Sequence, residues 1–176
     1  MEYYFVCKYI NVCFIGHRKI EVTKKLTNEL TALICTLIRD GVCNFNFGSH
    51  SQFDDLCYQL VSDQRKQYPQ IKRIHYCAAY ENYSNVGLND LYEQEIDCKS
   101  AINASKNSYL IRNQVMIDNS DICVFYYSEN YQPPQRKSSK YDLITHQSKS
   151  GTAIAYHYAK NKNKIIINIG EQNETN

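Results

Sequence analysis

The stretch that decides the fold is Asn11-Val12-Cys13-Phe14-Ile15-Gly16-His17-Arg18. Its first five residues form a short run rich in apolar and β-favouring side chains, and the run stops at a glycine. Such a run, bounded by a turn residue, is typical of a parallel strand that is buried on both faces. We therefore expect His17 and Arg18 to lie at the carboxyl end of that strand.

Outward from this strand, apolar runs alternate with segments whose apolar residues recur every three or four positions. The runs predict further strands at residues 42–47, 71–77, 122–127 and 165–169. The periodic segments predict helices at residues 22–38, 53–61, 109–119 and 151–160. Strands separated by helices require right-handed crossovers, which favour an α/β, Rossmann-like three-layer sandwich with a mostly parallel five-stranded sheet.

The length of 176 residues suits one domain, which we place at residues 1–170 and follow with a flexible polar tail at 171–176. Two polar stretches, 81–108 and 128–149, fit the alternation less well and are predicted to be insertions or lid loops. A helix around Asp90 to Ile96 is a possible element of the first. We expect the second to order when ligand binds, because it leads into a small-residue loop.

Charge and cysteine usage exclude several classes of protein. The net charge is +2 and no long basic run occurs, so composition favours neither a nucleic-acid nor a membrane partner. Eight cysteines show neither a CxxC pair nor a Cys/His spacing typical of zinc, so we predict reduced thiols, no metal and a cytoplasmic protein. Neither a signal peptide nor an apolar run of the roughly 20 residues of a membrane span is recognisable.

Small polar loops follow the strands and open the helices. In such sheets, ligands bind outside the carboxyl ends of the strands, and the first N–H groups of a helix attract anions. The candidate segments are Gly16-His17-Arg18, Gly48-Ser49 with Ser51 and Asp54, Arg112-Asn113, and Ser150-Gly151-Thr152. An exposed basic turn at Arg18, and a favourable helix-dipole interaction at Asp54, are the alternatives. Neither GxxxxGK[ST] nor GxGxxG occurs.

Taken together, these segments resemble the SLOG superfamily, the Rossmann-like proteins that include DprA/Smf and Lonely Guy, and most of all its small YpsA-like bacterial branch. The matching segments follow the family's order between residues 11 and 169: Cys13 to Arg18, Phe47 to Asp54, Arg112-Asn113, Met116-Ile117-Asp118, Ser120-Asp121, and Ser150-Gly151-Thr152 leading into Ala159. The resemblance implies binding or sensing of a nucleotide or an NAD- or ADP-ribose-type phosphate ligand and, by analogy, a homodimer. We predict no bound cofactor.

One departure from that family concerns catalysis. Its phosphoribohydrolases carry a PGGxGTxxE pattern, in which Gly151-Thr152 match but the catalytic Glu position holds Ala155. Alanine cannot transfer a proton, so we expect a ligand sensor rather than that enzyme. Arg18, Arg112, Ser49, Ser51 and Thr152 would hold phosphate, and Asp54 or Asn113 a ribose or base.

Two other functions remain open from the sequence. A nucleotide N-glycosidase would need a non-standard acid or base, for which the candidates are Asp54, Asp118, His17, Glu81, Glu93 and Glu95. Single-stranded DNA binding would use aromatic stacking and basic residues, as offered by Tyr131, Arg136, Lys137, Lys140 and Tyr141. The nearly neutral net charge argues against the second.

Overall fold

The computed structural model of the protein describes residues 10–48, 51–78, 92–98, 108–131 and 150–170. Within these ranges the chain forms six strands and four helices. In chain order they are β1 (Ile10–Gly16), α1 (Lys24–Arg39), β2 (Val42–Phe47), α2 (Gln52–Arg65), β3 (Lys72–Cys77), β4 (Gln94–Asp97), α3 (Ser108–Asp118), β5 (Ile122–Tyr126), α4 (Gly151–Asn161) and β6 (Ile165–Asn168).

All six strands lie parallel in one sheet, in the order β4-β3-β2-β1-β5-β6. In the described chain β1 comes first, β2, β3 and β4 follow on one side of it, and β5 and β6 lie on the other side. The order therefore reverses between β1 and β5, which is where ligand crevices form in open α/β sheets. The α/β, Rossmann-like architecture is confirmed, with one strand more than the sequence predicted.

Two apolar cores cover the two faces of the sheet. Val12 and Phe14 of β1 pack with the buried faces of α1 and α2, whereas Cys13 and Ile15 pack with α3 and α4. This alternation follows from the pleat, which points successive side chains to opposite faces. Because both faces are covered, every one of these side chains is apolar, and the strand is recognisable as an uninterrupted run.

Helix α1 shows how accurately local signals mark an element. The Oγ1 of Thr23 accepts a hydrogen bond from the Leu26 N–H at 3.1 Å, so the helix begins at Lys24. Val22, with 52% of its surface exposed, lies before the helix instead of in it. Gly41, at φ 96°, reverses the chain directly into β2, a conformation that favours glycine.

The extra strand corrects one prediction. The described residues of the expected 90–96 helix instead lead into β4, which pairs with β3 at the edge of the sheet. Its polar sequence hides the strand pattern, since only Ile96 packs against the core. An ion pair between Arg73 and Glu93, at 2.6 Å, fixes the chain beside β3 as it enters β4.

The cysteines partly agree with the expected reduced state. Six are reduced thiols: Cys13, Cys35, Cys57, Cys77, Cys98 and Cys123. Cys43 is disulfide-bonded, so the expectation that all eight thiols are reduced is wrong at this residue. Among the helices that the structure describes, none combines the length and apolar character needed to cross a membrane.

Candidate functional site at the carboxyl edge of the sheet

Gly16, the last residue of β1, is the point at which two helices meet the sheet. A Cβ atom added to Gly16 would lie 2.5 Å from the ring of Phe53, so the start of α2 rests directly on this backbone. From the other face, the Oγ1 of Thr152 donates a hydrogen bond to the Gly16 carbonyl at 2.9 Å. The predicted loops after β1 and before α4 are therefore brought together.

The start of α2 is tied to the loop that follows β1. The Gln52 N–H donates to the Arg18 carbonyl at 3.0 Å, and the Gln52 Oε1 accepts from the Ile20 N–H at 2.9 Å. Ser51 caps the helix by accepting from the Asp54 N–H at 3.1 Å. The Asp54 side chain is buried, whereas that of Arg18 is exposed to solvent.

Arg112 reaches the end of β2 from within α3. A Cβ atom added to Gly48 would lie 2.9 Å from its Cδ and 3.0 Å from its Nε, so the glycine leaves room for the arginine. The Nε and one terminal nitrogen both donate to the Asn113 Oδ1, at 3.2 and 3.1 Å. Only 2% of Arg112 is exposed. Because a guanidinium stays protonated, this is a buried positive charge at the same edge.

His17 lies at the reversal of strand order, between the ends of β1 and β5. Its Nε2 accepts a hydrogen bond from the Ser128 N–H at 3.0 Å, and its ring stacks on Tyr131 with centroids 3.6 Å apart. Burial lowers the pKa of His17 to about 4, so the ring is neutral near pH 7. A neutral ring whose Nε2 accepts carries its proton on Nδ1.

That Nδ1–H has no hydrogen-bond partner in the part of the chain that the structure describes. The residue is only 2% exposed. Buried polar groups are almost always paired, and an unpaired donor costs about 1–3 kcal/mol. The imidazole therefore presents a buried N–H donor for which the described residues supply no acceptor.

The start of α4 offers a second anion-attracting group. Ser150 caps this helix by accepting from the Ala153 N–H at 3.1 Å, and its first turn contains no acidic residue. No described atom lies within 4 Å of a Cβ added to Gly151. The hydroxyl proton of Thr152 is used by Gly16, so backbone N–H groups, rather than this hydroxyl, are the donors that the loop can present.

Several predicted acids do not belong to this edge. Asp118 ends α3 beside the amino end of β6, where Lys164 Nζ donates to its carbonyl at 3.1 Å and Lys162 pairs with its carboxylate at 3.5 Å. Glu93 is held by Arg73 and Arg65. Asp118 is therefore at the wrong end of the sheet to act on a ligand near Gly16.

The remaining sequence predictions divide into two groups. Ala155, at the position of the family's catalytic Glu, is 2% exposed and packs in the core formed with α3 and α4. Glu81, Ser49 and residues 132–149, which are most of the expected 128–149 lid and include the basic residues suggested for DNA, lie outside the described residues.

One cluster was not predicted at all. His75, Cys77 and Glu95 bring their ligand-type atoms within 4.8 Å of one another at the edge formed by β3 and β4. In sequence they are separated by up to 20 positions and match no metal-binding spacing. The cluster could have been predicted only by recognising β4 as a strand that pairs in parallel with β3.

The solved structures that resemble the fold include the following two. DNA processing protein A from Helicobacter pylori, studied for single-stranded DNA binding, has a TM-score of 0.56 and 17% identity over 91% of this chain and 65% of that one. The molybdenum cofactor carrier protein from Chlamydomonas reinhardtii has a TM-score of 0.56 and 10% identity over 93% of this chain and 78% of that one. No family model and no curated protein matches the chain. At these identities the likeness shows the Rossmann-like fold.

Proposed function

We propose that the protein is a ligand-binding or sensor module of the SLOG type, which takes a nucleotide or nucleotide-derived phosphate at the carboxyl edge of its sheet. The observation that carries the proposal is His17: a buried, neutral imidazole at the reversal of strand order, with a polarised Nδ1–H that no described acceptor uses. Such a donor suits a ligand oxygen in the crevice.

The neighbouring groups supply the rest of a phosphate site. Arg112 contributes a buried positive charge beside Gly48, and the start of α4 contributes backbone donors and the positive end of its dipole. Tyr131, which stacks on His17, gives an aromatic surface against which a planar base can pack. A phosphate linked to a ribose and a base matches this combination of charge, donors and aromatic surface.

Both structural neighbours support ligand binding in a general sense, since their published descriptions concern single-stranded DNA and a cofactor. We favour binding over bond cleavage because Ala155 is packed in the core, where the enzymes of the resembling family carry a carboxylate. We favour a small ligand over DNA because the buried His17 and Arg112 suit a compact phosphate better than an extended strand.

Isothermal titration calorimetry against AMP, NAD, ADP-ribose and cyclic ADP-ribose tests the proposal, with inorganic phosphate as the minimal ligand. At least one nucleotide should bind more tightly than phosphate. His17→Gln keeps an acceptor near the Ser128 N–H but removes the Nδ1 donor, and should weaken binding about tenfold. His17→Asn keeps a donor near the Nδ1 position and should weaken it less.

The matched control is His157→Ala, because His157 is an exposed histidine on α4. It should leave the affinity unchanged. No binding across the whole panel would contradict the proposal, as would an equal loss for His17→Gln and His157→Ala. Tight binding of a labelled single-stranded oligonucleotide, with a steep salt dependence, would favour DNA instead. Release of free base from AMP or NAD would show an enzyme.

A further inference from the structure

A second group of reactive side chains lies at the edge of the sheet formed by β3 and β4. Ile74 and Tyr76 of β3 pack into the core with α3 and α4, so His75 and Cys77 project from the opposite face. Glu95 of β4 is the register partner of His75. Three different ligand-type side chains are therefore carried by two adjacent, hydrogen-bonded strands.

Their atoms are close enough to share one ion. The Sγ of Cys77 lies 3.3 Å from the Nδ1 of His75 and 2.7 Å from the Oε1 of Glu95. All three ligand atoms fall within 4.8 Å of one another. In a tetrahedral zinc site, bond lengths of roughly 2.0–2.3 Å place neighbouring ligand atoms about 3.5 Å apart. Side-chain shifts of about 1 Å would accordingly bring these three atoms to bonding distance.

We propose that His75, Cys77 and Glu95 form a binding site for a divalent transition-metal ion of the zinc class. A thiolate, an imidazole and a carboxylate are ligands that zinc accepts, whereas magnesium and calcium prefer oxygen alone. Binding replaces the thiol proton of Cys77, which is released to solvent as the sulfur–metal bond forms. With three protein ligands, the fourth position is left for water or a ligand atom.

The surroundings of the cluster support an accessible but ordered site. His75 and Cys77 are 4% and 3% exposed, and the His75 ring stacks on Tyr92 with centroids 4.8 Å apart. Glu95 is exposed, so an ion can enter from its side. Nearby, Arg73 donates to both carboxylate oxygens of Glu93, at 3.1 and 2.6 Å. The inference does not rest on the proposed nucleotide site.

Titration of the full, reduced chain with Co²⁺ tests the site, because thiolate ligation of cobalt gives a charge-transfer absorption. We expect one equivalent of Co²⁺ to produce this band and Zn²⁺ to displace it. Cys77→Ser should abolish the band, and Glu95→Gln should weaken Co²⁺ binding by about tenfold or more. The matched control is Cys35→Ser, because Cys35 is a partly buried thiol on α1.

Glu95→Gln should fold like the wild type, because Glu95 is exposed and its replacement leaves the buried side chains intact. A loss of Co²⁺ binding in this variant would therefore not be caused by misfolding. Circular dichroism should show the same helix content for each variant. A charge-transfer band that survives in Cys77→Ser would place the metal on another thiol and overturn the proposal. A wild-type chain that shows no such band would overturn it as well.

Discussion

Helices α2 and α4 begin at the same edge of the sheet, beside the same residue, and with the same kind of cap. Ser51 and Ser150 each accept a hydrogen bond from the third N–H of the helix, at 3.1 Å in both cases. Both helices also contact Gly16, α2 through the ring of Phe53 and α4 through the hydroxyl of Thr152. By local signals the two helix starts are equivalent.

Their surroundings make them different. The first N–H of α2 donates to the Arg18 carbonyl, and Asp54 and Asp55 place two carboxylates in its first turn. The first turn of α4 has no acidic residue, and no described atom lies within 4 Å of a Cβ added to Gly151. The first N–H of α2 is therefore paired within the fold and lies near two carboxylates. The start of α4 has no such carboxylate and has space beside Gly151 in the described chain, so it is where we propose that the anion binds.

The largest expected effect concerns the start of α2, where Phe53 covers Gly16. Phe53→Ala should lower the free energy of unfolding by about 3–5 kcal/mol, because a fully buried ring that covers Gly16 is lost. Chemical denaturation measures this change. Gly16→Ala should also be destabilising, since its Cβ would lie 2.5 Å from the same ring. In the double variant the added methyl no longer meets the ring but still lies 2.6 Å from the Cβ of residue 53, so part of the clash is relieved and the combined loss should be smaller than the sum of the two.

Fully additive losses in that double variant would mean that the ring of Phe53 contributes nothing to the contact at Gly16. Helix α2 would then be held at this edge by other contacts than the ring.

The difference between these two helix starts also shows what the sequence could and could not predict. Runs such as 11–15, and helical spacing such as that of α1, predicted elements correctly because burial on one or both faces leaves a pattern along the chain. The serine caps of α2 and α4 are local as well. Whether the first N–H of a helix is paired depends on distant residues, as in the bond from the Gln52 N–H to the Arg18 carbonyl, 34 positions earlier. No local sequence pattern indicates such a contact.

Other features escaped prediction for related reasons. Strand β4 lies at an edge, so its polar residues obscure the alternation that a central strand shows. Arg112 follows the first turn of α3, and it reaches Gly48 only because of how α3 packs. The cluster of His75, Cys77 and Glu95 exists only once β3 and β4 are paired.

The next effect concerns His17, which lies between the ends of β1 and β5. Its pKa is lowered by burial from 6.5 to about 4. As the pH falls below 6.5 the unfolded chain binds a proton that the folded chain refuses until about pH 4. The stabilisation from the neutral ring is therefore complete above pH 6.5 and is lost across this window, by up to about 3 kcal/mol.

Denaturation midpoints at several pH values between 7 and 4 measure this loss, and His17→Gln isolates it from the titration of carboxylates. The variant should show a shallower decrease in the free energy of unfolding than the wild type. Identical pH profiles for the two proteins would show that His17 is not buried as a neutral ring. The Nδ1–H of His17 would then not be the buried donor that the proposed function requires.

The smallest expected effect comes from variants that compare the starts of α2 and α4 directly. Ser51→Ala and Ser150→Ala each remove one cap, and each should lower the free energy of unfolding by about 1 kcal/mol. Their effects on binding should differ. Ser150→Ala disturbs the first turn of α4 and should weaken binding of the nucleotide that the calorimetric panel identifies, whereas Ser51→Ala should leave that affinity unchanged.

Calorimetry and denaturation on the same pair of variants separate the two roles, because each variant controls for the other's loss of stability. If both variants weaken the nucleotide equally, the anion is bound between the two helices, and the carboxylates of Asp54 and Asp55 do not exclude it from α2. If only Ser51→Ala weakens it, the anion is bound at the start of α2 and not at the start of α4. A loss confined to Ser150→Ala would place the phosphate at Gly151, where the described chain leaves space for it.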